Sequence, residues 1–112
     1  FLNIISNAIY AIDKKFGDEQ GGILKISTSN NDKSIFVKIE DNGIGMDEIT
    51  KKKIFEPFFT TKDVGEGTGL GMSIAYNTIK RHQGEIQVNS TPGLGTEFIL
   101  ELPIILDLTA EI

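Results

Sequence analysis

Apolar residues recur at three- and four-residue steps over the first sixteen positions, after which the chain changes to a two-residue beat. Leu2, Ile5, Ile9, Ile12 and Phe16 make one stripe of a helix over residues 1–16, ended by Gly17. Asn3, Asn7, Tyr10 and Lys14 share a second face, roughly opposite. That face admits two readings: a solvated surface, or amides kept for a ligand, because Asn is a poor helix former. Residues 23–29 and 34–40 alternate as strands around "NNDK". Asp47 suits the N-cap of a short helix, with Lys51, Lys52 and Lys53 near its end and Pro57 beyond. Residues 58–69 hold no period and carry Gly65, Gly67 and Gly69, which predicts a mobile loop. A helix follows over about 71–82, with Leu70, Ile74, Ala75 and Ile79 inward and Gly84 as its stop signal. Strands at about 85–90 and 96–102 flank "TPGLG". The tail from 104 to 112 lacks a period and reads as a linker. This order predicts an α+β layer sandwich with one helical face.

Composition narrows the function classes. A chain of 112 residues is the size of one domain and buries roughly two-thirds of its unfolded surface. No apolar run nears the ~20 residues of a membrane span, and the opening helix does not resemble a signal peptide. The absence of cysteine excludes disulfides, thiolate metal sites and a cysteine nucleophile. A net charge of −5 argues against a nucleic-acid surface driven by bulk charge. Any polyanionic ligand must therefore be held locally, by backbone N–H groups, a metal ion or a few placed lysines.

The glycines fall at every second position, 65, 67, 69 and 71, so neither G-x-G-x-x-G nor a P-loop is present. A glycine-rich segment opening a helix remains, and either a flexible loop or a phosphate cradle satisfies it. Asp41 heads "DNGIGMDEITKKK", but the spacing fails as a calcium loop, with a lysine where Glu is required. His82, in the last turn of its helix, is explained by the helix dipole. No Ser/His/Asp set stands out.

Five segments together carry a resemblance. "NIISNA" (3–8), "DNGIGM" (41–46), "FEPFFTTK" (55–62), "GEGTGLGMSI" (65–74) and "GTEFILELP" (95–103) resemble, in order and spacing, the boxes of the catalytic ATP-binding domain of sensor histidine kinases. That domain belongs to the Bergerat-fold superfamily, with type II topoisomerases, heat-shock chaperones and mismatch-repair ATPases. The resemblance covers residues 1–103 and implies a two-layer sandwich: a mixed, mostly antiparallel sheet backed by helices. The chain begins inside the first box, so an N-terminally truncated domain is expected, with dimerisation helices and an acceptor histidine elsewhere.

The resemblance implies roles residue by residue. Asp41 would accept the exocyclic N–H of adenine, where guanine carries a carbonyl. Gly43 and Gly45 would let the backbone approach the base, with Met46 beside them, and Thr96 would support the same edge. Asn7 would ligate Mg²⁺, with Asn3 one turn earlier. Lys62, Thr68, Leu70 and the amides of Gly67, Gly69 and Gly71 would hold the phosphates. Phe55, Phe58 and Phe59 would anchor the lid or a docking surface. Tyr10 stands where many kinases carry a basic residue, so no phosphate contact is assigned there. Superfamily ATPases place Glu where this chain has Asn3, and an amide cannot serve as a base for water. Transfer to a neutral imidazole needs none. The implied activity is protein-histidine phosphorylation from ATP and Mg²⁺, with a response-regulator Asp as next acceptor. A related Ser kinase or a non-catalytic nucleotide module are the alternatives. A cytoplasmic location is expected, without nucleic-acid or membrane contact by this domain.

Overall fold

The computed structural model describes residues 1–59 and 70–104. The elements are α1 (Leu2–Phe16), β1 (Leu24–Asn30), β2 (Ser34–Asp41), α2 (Glu48–Lys53), α3 (Gly71–Arg81), β3 (Glu85–Thr91) and β4 (Gly95–Pro103). The strands form one sheet in the order β1-β2-β4-β3, and α1 and α3 contact its strands and each other. Every pairing among the described residues is antiparallel, so the sheet is not mixed here: two hairpins join through β2 and β4. Of the predicted loop over 58–69, residues 60–69 lie outside the described residues, as does the tail beyond 104.

Register explains why the sheet has one apolar face. Ile26, Ile39, Phe98 and Val88 form one row across the four strands, and Thr28, Val37, Leu100 and Ile86 the next. Alternate positions turn Lys38, Glu97 and Asn89 to the other face, where Lys38 pairs with Glu97 at 3.7 Å and Asn89 donates to Glu97 at 3.1 Å. Ile4 from α1 and Met72 and Ile79 from α3 pack on Val37, Ile39, Phe98 and Leu100. Burying each large side chain contributes about 1.5–3 kcal/mol.

The helices sit differently from the stripes that the sequence suggests. In α1 the buried residues are Ile4, Ala8 and Ala11, while Leu2 and Ile9 are 76% and 55% exposed. The helix is thus turned by about one residue step, roughly 100°. Small alanines at the contact let its backbone approach the sheet, which a face of isoleucines would prevent. Asn7, which follows Ala11 on the side away from Ile4 and Ala8 in helical projection, sits at the edge of the packed face and is half-buried. In α3 the inward residues are Met72, Ser73 and Ile79, with Ala75 packed beside them, whereas Ile74 is exposed. Asp47 caps α2 as expected, its carboxylate accepting the Thr50 N–H at 2.7 Å.

The end of α3 departs from expectation in an instructive way. The Gly84 N–H donates to Ile79 O at 2.9 Å and the Gln83 N–H to Lys80 O at 3.0 Å, a Schellman closure. The left-handed position falls on Gln83, with φ of 61°, not on glycine. Gly84 is needed for contact instead, because a Cβ there would overlap the Glu101 carbonyl oxygen of β4. Gln83→Gly should therefore stabilise the protein by about 1 kcal/mol, the scale of the left-handed penalty. Gly84→Ala should cost about 1–3 kcal/mol through overpacking. Urea unfolding of the two variants checks both signs.

Candidate functional site

The apolar rows of the sheet end in a polar one. Beyond Ile39, Phe98 and Val88, the next row on the helix-facing side is Asp41, Thr96 and Ser90. Asp41 closes β2, and its Oδ1 accepts the Gly43 N–H at 2.8 Å. The carboxylate also accepts the backbone N–H of Thr96. Burial raises the Asp41 carboxyl above its ordinary pKa of 3.8, and these two bonds, which pull it down, do not offset that. Among the described residues no cation pairs with it. Thr96 is only 5% exposed, and its Oγ1 lies 2.8 Å from the Ser90 Oγ.

Residues 41–46 are held against their surroundings from several sides. Asn42 accepts the Ile23 N–H at 2.7 Å and donates to Gly21 O at 2.8 Å, fixing the entry to β1. The Ile44 N–H donates to Ala11 O of α1 at 3.2 Å, and Ile44 O accepts the Gly93 N–H at 2.7 Å. Lys15 Nζ donates to Gly93 O at 2.8 Å, joining α1 to the β3–β4 turn. The Met46 N–H donates to Ser90 Oγ at 2.8 Å.

This packing supplies a different reason for the glycines from approach to a base. A Cβ on Gly43 would stand 2.5 Å from the Ala11 carbonyl carbon. One on Gly45, whose φ is +71°, would overlap the Thr91 carbonyl oxygen. Both glycines let backbone lie against backbone.

Asn3 and Asn7 lie one turn apart on α1, and Asn3 reaches the start of α3. A Cβ at Gly71 would lie 3.5 Å from Asn3 Oδ1, so the first and fourth boxes meet. Leu70 is the N-cap of α3 and supplies no side-chain cap, while Ser73 Oγ donates to Leu70 O at 2.9 Å. Lys62, Gly67, Thr68 and Gly69 lie outside the described residues. Phe55 stacks on Tyr76 with ring centroids 5.0 Å apart and meets Phe98 edge-on, while Phe58 is exposed with φ of 67°. A cavity of about 510 Å³ opens at the other end of β2 and β4, between Ile35, Leu100, Leu102, Ile74 and Phe1. Its mostly apolar lining suits packing rather than a polyphosphate.

Sequence reading missed Asn42 and Ser90. Asn42 stood inside a quoted motif but had no role until its partners at 21 and 23 were in place. Ser90 lies outside the five segments, and only its β3–β4 pairing with Thr96 brings it to the site.

Comparison with known proteins places these residues in context. The family model described as "Histidine kinase-, DNA gyrase B-, and HSP90-like ATPase" matches residues 1–105. The signal transduction histidine-protein kinase AtoS of Escherichia coli (strain K12) is 46% identical over 104 residues, 92% of this chain and 16% of that protein. Sporulation kinase E of Bacillus subtilis (strain 168) is 39% identical over 104 residues, 93% of this chain and 13% of that protein. The chain thus spans less than a fifth of either relative. The nucleotide-free catalytic domain of histidine kinase ThkA superposes with a TM-score of 0.72 at 35% identity, over 91% of this chain and 63% of that one.

The raised pKa of Asp41 has a thermodynamic consequence. The folded state holds its proton more tightly than the unfolded chain, so ionisation costs stability. That cost is complete above the folded-state pKa and vanishes as pH falls to 3.8 and below. Asp41→Asn keeps an acceptor for the Gly43 N–H and removes the charge. Its Tm should exceed that of the unchanged protein at pH 7, and the gap should close on acidification. Thermal unfolding across pH 7 to 3.5 measures it.

Proposed function

The chain belongs to the histidine kinase-, DNA gyrase B- and HSP90-like ATPase family, and on that premise we propose that it is the ATP-binding catalytic domain of a sensor histidine kinase. The observation that carries the reading is the Asp41 carboxylate, half-buried at the polar end of an apolar sheet face and without a cation partner among the described residues. A buried charge that lowers the stability of the empty fold is kept for a ligand that donates to it. Adenine offers its exocyclic N–H there, and guanine offers a carbonyl, which a carboxylate repels. The flat base lies over the end of the apolar rows, Thr96 supports the same edge, and Met46 packs beside the core.

The triphosphate runs from this edge toward the meeting point of α1 and α3. The N-terminal amides of α3, to which the Leu70 side chain offers no cap, suit an anion. Lys62 and the amides of Gly67, Thr68, Gly69 and Gly71 belong to the same phosphate set in this reading. Among the described residues there is no cluster of three His, Cys, Asp or Glu side chains for a metal. Amide oxygens at Asn7 and Asn3 suit a hard ion that takes its other ligands from phosphates and water. Bound Mg²⁺ would neutralise charge between the β- and γ-phosphates. Asn7 would hold it and Asn3 would order its surroundings; neither removes a proton. The acceptor is a histidine on a dimerisation domain of the same kinase. Its neutral ring nitrogen forms the N–P bond as the bond from the γ-phosphorus to the β–γ bridging oxygen breaks and ADP leaves. A response-regulator Asp is the next acceptor, and the domain works in the cytoplasm.

Two measurements test the assignment. Asp41→Asn should weaken ATP binding by about 1–3 kcal/mol in calorimetry, and the unchanged protein should bind GTP far more weakly than ATP. Equal binding of the two nucleotides would remove Asp41 from base recognition. Asn7→Ala should abolish most Mg²⁺-dependent transfer to the dimerisation domain while metal-free ADP binding stays nearly intact. Matching losses of both would make Asn7 a folding residue.

A further inference from the structure

Ser90 has no part in the roles assigned above, but its hydrogen bonds converge on the residues that do. Its Oγ accepts the Met46 N–H at 2.8 Å, lies 2.8 Å from Thr96 Oγ1, and lies 3.1 Å from Gly95 O. A hydroxyl owns one proton and two acceptor sites. The Met46 N–H can only donate, so it fills one Ser90 acceptor site. The Ser90 proton then has two takers. If it goes to Gly95 O, Thr96 donates to Ser90 and turns only lone pairs toward a ligand. If it goes to Thr96, the Thr96 proton is free to donate outward. Ser90 therefore governs both the position and the polarity of the Thr96 hydroxyl.

These bonds also close a ring. Asp41 pairs with Thr96 across β2 and β4, and Thr96 with Ser90 across β4 and β3. Ser90 then takes the Met46 N–H, which is the far end of the segment that Asp41 begins. We propose that Ser90 is a positioning residue for base recognition, locking the Thr96 hydroxyl beside Asp41 and fastening the Met46 end of the same segment. The proposal rests on the base-reading role given above to Asp41 and Thr96. Without the Ser90 hydroxyl, both Thr96 Oγ1 and the Met46 N–H lose a partner in a half-buried place. The Thr96 hydroxyl would then turn to suit either purine.

Calorimetry with ATP and GTP on Ser90→Ala, Ser90→Thr, Thr96→Ala and the Ser90→Ala/Thr96→Ala pair tests this, with Asp41→Asn as reference and thermal unfolding alongside. Ser90→Ala should weaken ATP binding roughly fivefold, the scale of one net hydrogen bond, and narrow the ATP-to-GTP ratio. Ser90→Thr, which keeps the hydroxyl, should restore the ratio. The pair should lose less than the two single losses combined. A lower Tm with an unchanged ATP-to-GTP ratio would make Ser90 a purely structural residue and overturn the proposal, as would strict additivity. Should Ser90→Ala fail to fold, Ser90→Cys keeps the volume with a weaker donor, and the ratio is read from it. If Asp41→Asn lowers ATP affinity while the Ser90 variants keep the ratio, only the Ser90 role falls. If the unchanged protein binds ATP and GTP alike, the base-reading site falls and takes the Ser90 role with it.

Discussion

A half-buried carboxylate placed one row beyond an apolar sheet face is the constraint around which this fold is arranged. Asp41 occupies that place only because β2 and β4 pair in one register, which puts it opposite Thr96 and keeps Ile39 opposite Phe98. A slip of one residue would turn the core residues outward and the acid away from the helices. Packing and site geometry are thus set by the same pairing. Phe98 and Ile39 hold the register through burial, and the polar row inherits its position from them.

Close approach of backbone is the second requirement. The segment from Asp41 to Met46 bonds to α1 through Ala11, to the β3–β4 turn through Gly93, and to the start of β1 through Asn42. Glycines at 43, 45 and 95 are required because each faces a carbonyl group where a side chain would stand. Rigidity here follows from hydrogen bonds between separate elements, not from local helix or strand propensity. A site whose binding groups are ordered in advance loses less entropy when a ligand arrives. The cost appears at Asp41, whose ionised form is disfavoured by burial in the empty protein.

Much of this was legible in the chain. Gly17 ends α1 and Asp47 caps α2, because both signals depend on backbone geometry within a few residues. The strands follow from alternation, and the five segments all fall within the residues 1–105 that the family model matches. The rotation of α1 was not legible: periodicity finds an apolar stripe but cannot weigh isoleucines against alanines at a close contact. The left-handed residue at Gln83 was hidden for a similar reason, since Gly84 was already committed to contact with β4.

By itself, then, the sequence determined the order of elements, the antiparallel hairpins and the family, because these depend on local spacing. Tertiary structure alone decided which face of α1 is buried, and so that Asn7 sits at the rim of the packed layer. It also decided that Asn3 meets Gly71 and that Ser90 meets both Thr96 and Met46. Ser90 and Met46 stand 44 positions apart. No local pattern reports a contact at that separation. It exists because sheet register fixes β3 beside β4, and close packing then brings the Met46 N–H to the Ser90 hydroxyl.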